Sequence, residues 1–192
     1  MANFEKAYKL VMGYEGGYSN DPDDVGGETY KGVARKYYPD WEGWDVIDQA
    51  KHSSNFPHNL DHIEGLDLQV QKFYKTHYWN RFGGDSMPDQ SIANELFDIA
   101  VNMGVGRAVK FLQISLNVLN RNQLLYMDLV EDCIYGPNTE RALNTYLLSD
   151  NPSLLVKVLN VLQGYHYIKY CKQSPAQEKF MRGWFKRVTL TK

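Results

Sequence analysis

A dominant charge of one sign is what this sequence most lacks. Its 21 lysines and arginines are set against 23 aspartates and glutamates, intermixed, for a net charge of −2. Such a chain carries no electrostatic footprint for tracking nucleic acid, so no nucleic-acid partner is expected. Long hydrophobic runs are also missing. None approaches the roughly 20 residues that a membrane span needs, and the opening Met-Ala-Asn-Phe-Glu-Lys lacks the basic-then-apolar order of a secretory signal. Synthesis in the cytoplasm without a membrane span is the expectation. Cysteine is scarce: Cys133 and Cys171 fit neither a metal knuckle nor a disulfide framework, and both read as structural. The histidines, His52, His58, His62, His77 and His166, show no pair-plus-acid arrangement of a zinc peptidase. Asp21, Asp23 and Asp24 lack the register and distal glutamate of a calcium loop. No metal and no cofactor is expected.

What is present is 43% apolar and 14% aromatic residues in a chain of 192, enough for a sizeable core. Asn3 can cap a helix in which Phe4, Ala7, Tyr8, Val11 and Met12 recur at helical spacing, stopped by Gly16-Gly17. Ser19 to Gly32 is dense in Asn, Asp, Pro and Gly and reads as a loop, with a small hairpin at Thr29 to Val33. Between Tyr38 and Phe56 only short helices are assigned. Leu66 to Trp79 reads as helix, and Ile92 to Met103 carries the spacing of a buried stripe, ended by Gly104-Val105-Gly106. Further helices are expected from Arg107 to Leu119, after Gly136-Pro137, and from Pro152 to Cys171. Strand signals are otherwise absent, so the chain reads as all-α, with seven or eight helices and short connections.

Glu15 falls at the end of the first helix. There the negative end of the helix dipole disfavours the ionised carboxylate, as does shielding if Tyr14 and Tyr18 cover it, so a raised pKa is expected. A carboxyl still protonated near neutrality is what glycosidic cleavage requires of the group that protonates the leaving oxygen. By itself, a glutamate before two glycines is more often a solvated helix end. Asp24 and Thr29 follow on the loop, and a carboxylate with a hydroxyl can together position and activate a water.

The stretch Glu15-Gly-Gly-Tyr-Ser-Asn-Asp-Pro-Asp-Asp24-Val-Gly-Gly-Glu-Thr29-Tyr-Lys-Gly32 resembles the signature of glycoside hydrolase family 108. The resemblance continues through Tyr78-Trp79, Phe97-Asp98-Ile-Ala-Val-Asn102-Met-Gly104, Gly136-Pro137-Asn-Thr139 and Phe180-Met-Arg-Gly183-Trp184. It implies an N-acetylmuramidase with a lysozyme-like helical fold, with residues 1–95 as the catalytic region. Residues 96–192 would form a peptidoglycan-binding-like region packed with the first as one compact unit. The glutamate of the family's Glu-Gly-Gly-Tyr motif, its catalytic acid, falls here on Glu15. The spacing also resembles phage-type lysozymes, whose three-residue set maps onto Glu15, Asp24 and Thr29. The sequence departs from the pattern at Glu28 and Tyr30, where a small residue and an asparagine are usual. It departs again at Cys133, where peptidoglycan-binding motifs have glycine, and in an insert from Asn120 to Glu131.

Asp21, Asp23 and Glu28 compete with Asp24 for the second catalytic position, because the separation of the carboxylates decides their roles. Asp21, Asp23 and Asp24 also suit turn capping beside proline, and for Asp21 and Asp23 that reading is the stronger. Tyr18, Tyr30 and Trp79 are candidates for sugar contact, although aromatics in helices are usually core. Asp98 and Asn102, one helical turn apart, either line a groove or satisfy buried backbone groups. The expected activity is hydrolysis of the β-1,4 bond between N-acetylmuramic acid and N-acetylglucosamine in bacterial peptidoglycan, of the kind a phage or prophage endolysin performs after release or export. A lytic transglycosylase, or a non-catalytic peptidoglycan-binding or secretion-associated module, is the alternative. The oligomeric state is left open, with a monomer expected.

Overall fold

A computed structural model describes residues 1–12, 17–20 and 27–189 of the chain. Among the described residues, helix dominates and the one sheet is small, an all-α domain with a hairpin where residues 29–33 predicted one. The chain divides into two compact units, Tyr8–His77 and Met1–Ala7 with Tyr78–Lys192. Helix α1, Phe4–Met12, starts in one and ends in the other. Its first turn is capped as expected: the Asn3 side-chain oxygen accepts from the Lys6 amide at 3.0 Å.

The Tyr8–His77 unit holds three strands, β1 (Tyr18–Asn20), β2 (Glu28–Tyr30) and β3 (Val33–Ala34), in an antiparallel sheet of order β1-β2-β3. Tyr30 pairs with Val33, leaving a two-residue turn in which Lys31 (φ 43°) and Gly32 (φ 77°) are both left-handed. That is the geometry which matches the twist of a tight hairpin, and glycine adopts it at no steric cost. Tyr74 fixes the turn by donating its hydroxyl to the Lys31 carbonyl at 2.9 Å. Strand β1 was not anticipated. Tyr-Ser-Asn has no apolar alternation of its own, and pairing with β2 makes it a strand. Two helices, α2 (Gly43–Ala50) and α3 (Leu66–His77), complete this unit, with Trp44, Ile47, Val70, Phe73 and Tyr74 buried.

The other unit is built on α4 (Gln90–Met103), α5 (Val105–Val118), α6 (Pro137–Ser149), α7 (Pro152–Gln173) and α8 (Glu178–Trp184). Asp89 caps α4, accepting from the Ser91 and Ile92 amides at 2.9 and 3.1 Å. Gly104, at φ 88°, ends α4 and opens α5. Prolines at the first turn of α6 and α7 use the position where a missing N–H costs nothing. Helix α4 packs on α5 and α7, and the stripe Ile92, Leu96, Phe97, Ile99 and Ala100 is buried as its spacing predicts. The helix expected over Leu66 to Trp79 stops at His77, and Trp79–Phe82 forms a separate 3-10 turn.

Among the described residues, no helix is long and apolar enough to cross a membrane.

Candidate functional site

Of the expected catalytic set, Glu15 and Asp24 lie outside the described residues, as do Tyr14, Asp21 and Asp23. Thr29 is described. It is the middle residue of the central strand, opposite Ser19 on one side and Ala34 on the other. Alternation along β2 puts Glu28 and Tyr30 on the opposite face of the sheet from Thr29.

That opposite face carries a network of ion pairs. Glu28 lies 2.6 Å from Arg35 Nε and 2.7 Å from Lys51 Nζ, and Tyr18 donates its hydroxyl to Glu28 Oε1 at 2.9 Å. Arg35 donates to both Asp48 oxygens at 3.0 and 2.6 Å, stacks over Trp44 at 4.4 Å, and Lys51 returns to Asp48 at 2.7 Å. Burial by itself raises the pKa of Glu28, but the bonds from Lys51 and Tyr18 and the charge of Arg35 outweigh it, and the carboxyl sits below its usual value. With both oxygens engaged, Glu28 is a fixed anion that ties β2 and the chain after β3 to α2. It is poorly suited to taking a proton from water, and its rivalry with Asp24 weakens on that ground.

Tyr18 is half-buried, its ring edge-on to Phe56 at 4.7 Å and its hydroxyl spent on Glu28. Tyr30 is 1% exposed and stacks on Trp41 at 6.5 Å. Trp79 is fully buried among Phe4, Phe82 and Phe97, its indole N–H donating to Asp85 Oδ1 at 2.7 Å. Rings enclosed in this way turn no face to a sugar, so Tyr30 and Trp79 are core residues here and stacking is not assigned to them. In the same unit as Tyr30, a hollow of about 360 Å³ opens between Tyr38, Trp41, Phe73 and His77. A Cβ at Gly43 would collide with the Trp41 ring that walls it, which explains the glycine.

Asp98 and Asn102 are brought together. Asn102 donates to the Asp98 carbonyl at 2.8 Å and to Oδ1 at 3.2 Å. Asp98 also accepts from Gln163 at 2.7 Å and from Arg187 at 3.0 Å, which locks α4 to α7 and to the chain beyond α8. One turn earlier on α4 is Glu95, which the sequence reading missed although it sits on the apolar stripe. It is 8% exposed, and its Oε1 has no hydrogen-bond partner among the described residues. Burial, and then the charge of Asp98, push its pKa up to about 8. Asp98 is also raised, by burial, against the opposing pull of Gln163 and Arg187.

Cys133 is exposed and Cys171 buried, and neither is in a disulfide. Cys133 has φ 67°, the left-handed conformation that explains the glycine usual in this motif. Its amide donates to Gln113 Oε1 at 3.1 Å, and Gln113 in turn donates to Asp132 at 2.8 Å. The preceding insert is held by two asparagines of the α5 end: Asn117 bonds both backbone groups of Leu129, and Asn120 donates to the Tyr126 carbonyl and to Asp128. Cys133→Gly is therefore expected to stabilise the fold by about 0.5–1 kcal/mol. The relief of left-handed strain, about 1–2 kcal/mol, exceeds the added unfolded-state entropy. Thermal melting checks it, and a lower midpoint would contradict it.

Among the described residues, no group of three or more His, Cys, Asp or Glu side chains is placed to hold a metal ion.

No curated protein matches the chain. Among solved structures it is similar to SagA of Brucella abortus, with a TM-score of 0.63 and 23% identity over 96% of this chain and 88% of that one. At that identity the likeness is one of fold. Residues 107–189 match a family described as Predicted Peptidoglycan domain, which makes peptidoglycan the partner of this chain. Residues 8–104 match the family described as Glycosyl hydrolase 108, and they contain the whole Glu15–Gly32 motif and the Asp98–Asn102 pair. The chain belongs to the glycosyl hydrolase 108 family and acts on peptidoglycan.

Proposed function

We propose that the protein is an N-acetylmuramidase that hydrolyses the β-1,4 bond between N-acetylmuramic acid and N-acetylglucosamine. Glu15 is the general acid, and Asp24 with Thr29 activates the water. The observation that carries this reading is the family match over residues 8–104, which includes the motif spanning all three residues. The described part of the motif fits it: Thr29 lies in the middle of the central strand, paired with Ser19. Catalysis falls to residues 1–95 and wall binding to residues 96–192. The protein reaches the wall after release or export, as a phage or prophage endolysin does.

Hydrolysis leaves reducing muramic ends, whereas a lytic transglycosylase, which also needs one glutamate, leaves anhydro ends. Mass spectrometry of fragments released from purified sacculi separates them. Reducing ends are expected, and anhydro ends or no release would overturn the muramidase reading. A water held by a carboxylate and a threonine suits inversion, since retention needs a second carboxylate within about 5–5.5 Å of the acid. NMR of the first-formed anomer reads this directly.

A further inference from the structure

In the unit that contains the peptidoglycan domain, a cavity of about 490 Å³ is lined by Asn102, Arg107, His166, Tyr167, Tyr170 and Trp184, among others. Its size is that of a small-molecule site rather than a packing defect. The wall is a set of stacked rings. Trp184 lies on Tyr167 at 5.2 Å and 17° and meets Phe180 at 5.7 Å and 30° and Tyr170 at 5.9 Å and 34°, while Tyr170 lies parallel to His166 at 6.4 Å and 4°. Tyr170 is 41% exposed, and Trp184 is only half-buried, so ring area remains open to a ligand. Tyr167, on the same wall, has a buried hydroxyl with no hydrogen-bond partner among the described residues.

One cation stands at this wall. Arg107 is exposed on the first turn of α5, and its guanidinium, which can only donate, gives one N–H to His166 Nε2 at 3.0 Å. Burial, and then the charges of Arg107 and Lys169, lower the pKa of His166, so the ring stays neutral and accepts that bond. Among the described residues the other donors of the fork take no hydrogen bond, so they can meet an anion. The surrounding sequence favours one: residues 165–187 hold six lysines and arginines against the single acid Glu178, in a chain whose net charge is −2.

We propose that this cavity is a saccharide subsite for a muramyl unit, with a pyranose ring on the Trp184 and Tyr170 faces and a carboxylate on Arg107. A pyranose has an apolar C–H face and a polar edge, which matches aromatic planes bordered by Asn102 and His166. Charge distinguishes a muramyl unit from a plain N-acetylglucosamine unit, because of the two only the former carries a carboxylate, either on its lactyl group or on the attached stem peptide. The site uses Trp184 of the Phe180–Trp184 motif, which the catalytic reading leaves without a role. Cys133, where the peptidoglycan-binding motif is altered, is not among the residues that line it. The assignment rests on peptidoglycan as the partner, and not on Glu15 as the acid.

Isothermal titration calorimetry of the full chain tests it with three ligands: the disaccharide N-acetylglucosaminyl-N-acetylmuramic acid with a free lactyl group, the same disaccharide carrying a stem peptide, and diacetylchitobiose, which has no carboxylate. The two muramyl ligands end on muramic acid, so neither contains the bond that a muramidase cuts. Trp184→Ala is expected to weaken all three at least tenfold. Arg107→Gln, at an exposed position, is expected to keep the melting temperature and to weaken the two carboxylate ligands about tenfold and chitobiose less than twofold. Stronger binding of the bare disaccharide makes the lactyl group the source of the carboxylate, and stronger binding of the peptide form makes it the stem. Equal affinities in wild type and Arg107→Gln for every ligand would overturn the proposal, whatever Trp184→Ala does. A chain that binds through Arg107 but frees no reducing ends keeps this site and fails as a muramidase. One that clears sacculi without Arg107-dependent binding keeps the activity and loses the site.

Discussion

Glu15→Gln is expected to reduce the release of reducing ends from sacculi by about 10²–10⁴-fold, with the melting temperature unchanged. The amide has nearly the same shape and volume as the carboxyl but no proton to give, so a glycosidic oxygen must leave as an unprotonated alkoxide. Glu15 lies outside the described residues, and its role here rests on the motif within the matched residues 8–104. Asp24→Asn should cost comparably if that carboxylate activates the water, because both steps occur in one transition state and their effects are not additive. Clearing of sacculi by Glu15→Gln at near wild-type rate would remove Glu15 from the mechanism.

The second large effect concerns stability. Glu95→Gln is expected to raise the melting temperature at pH 7 and to change it little at pH 4. Glu95 is buried on α4, with Asp98 one turn away on the same helix, Asn160 facing it from α7, and Tyr167 and Arg187 close to the same charges. Its folded pKa is pushed up to about 8, against an ordinary value of 4.5. Between those values the unfolded chain has released the proton and the native one retains it, so stability falls as pH rises across the window and levels off above it. At pH 7 the difference is on the order of 3 kcal/mol, or roughly 6–12 °C for a domain of this size. Glutamine takes no part in this proton balance and makes similar contacts. Equal shifts at pH 4 and pH 7 would show that Glu95 is not held protonated in the native state.

Why such an acid is retained on a buried stripe is explained locally. Asp98 is neutralised by Arg187 and bonded by Gln163 and Asn102, so the polar side chains of α4 and α7 form one connected set that fixes how the two helices meet. Glu95 sits at the edge of that set, with one oxygen unmatched among the described residues. Protonated, it avoids placing a second negative charge beside Asp98.

The sequence by itself determined the helices and the family. Apolar residues at helical spacing, a capping Asn3, the Gly104 break, and prolines at the starts of α6 and α7 are local signals, and local hydrogen bonding is what a helix is made of, so their periodicity can be read along the chain. The hairpin turn was legible for the same reason, because Gly32 marks a left-handed backbone. Tertiary structure decided the rest. Strand β1 exists because β2 lies beside it. Glu28 became an ion-paired anion because Arg35 and Lys51 converge on it, and Tyr30 and Trp79 became core because neighbouring rings close over them. In the same way, Asp98 acquired its partners from α7 and from the chain past α8, far off in sequence. Each of these outcomes depends on which distant side chains arrive within a few ångströms, and no residue's own neighbours in sequence record that.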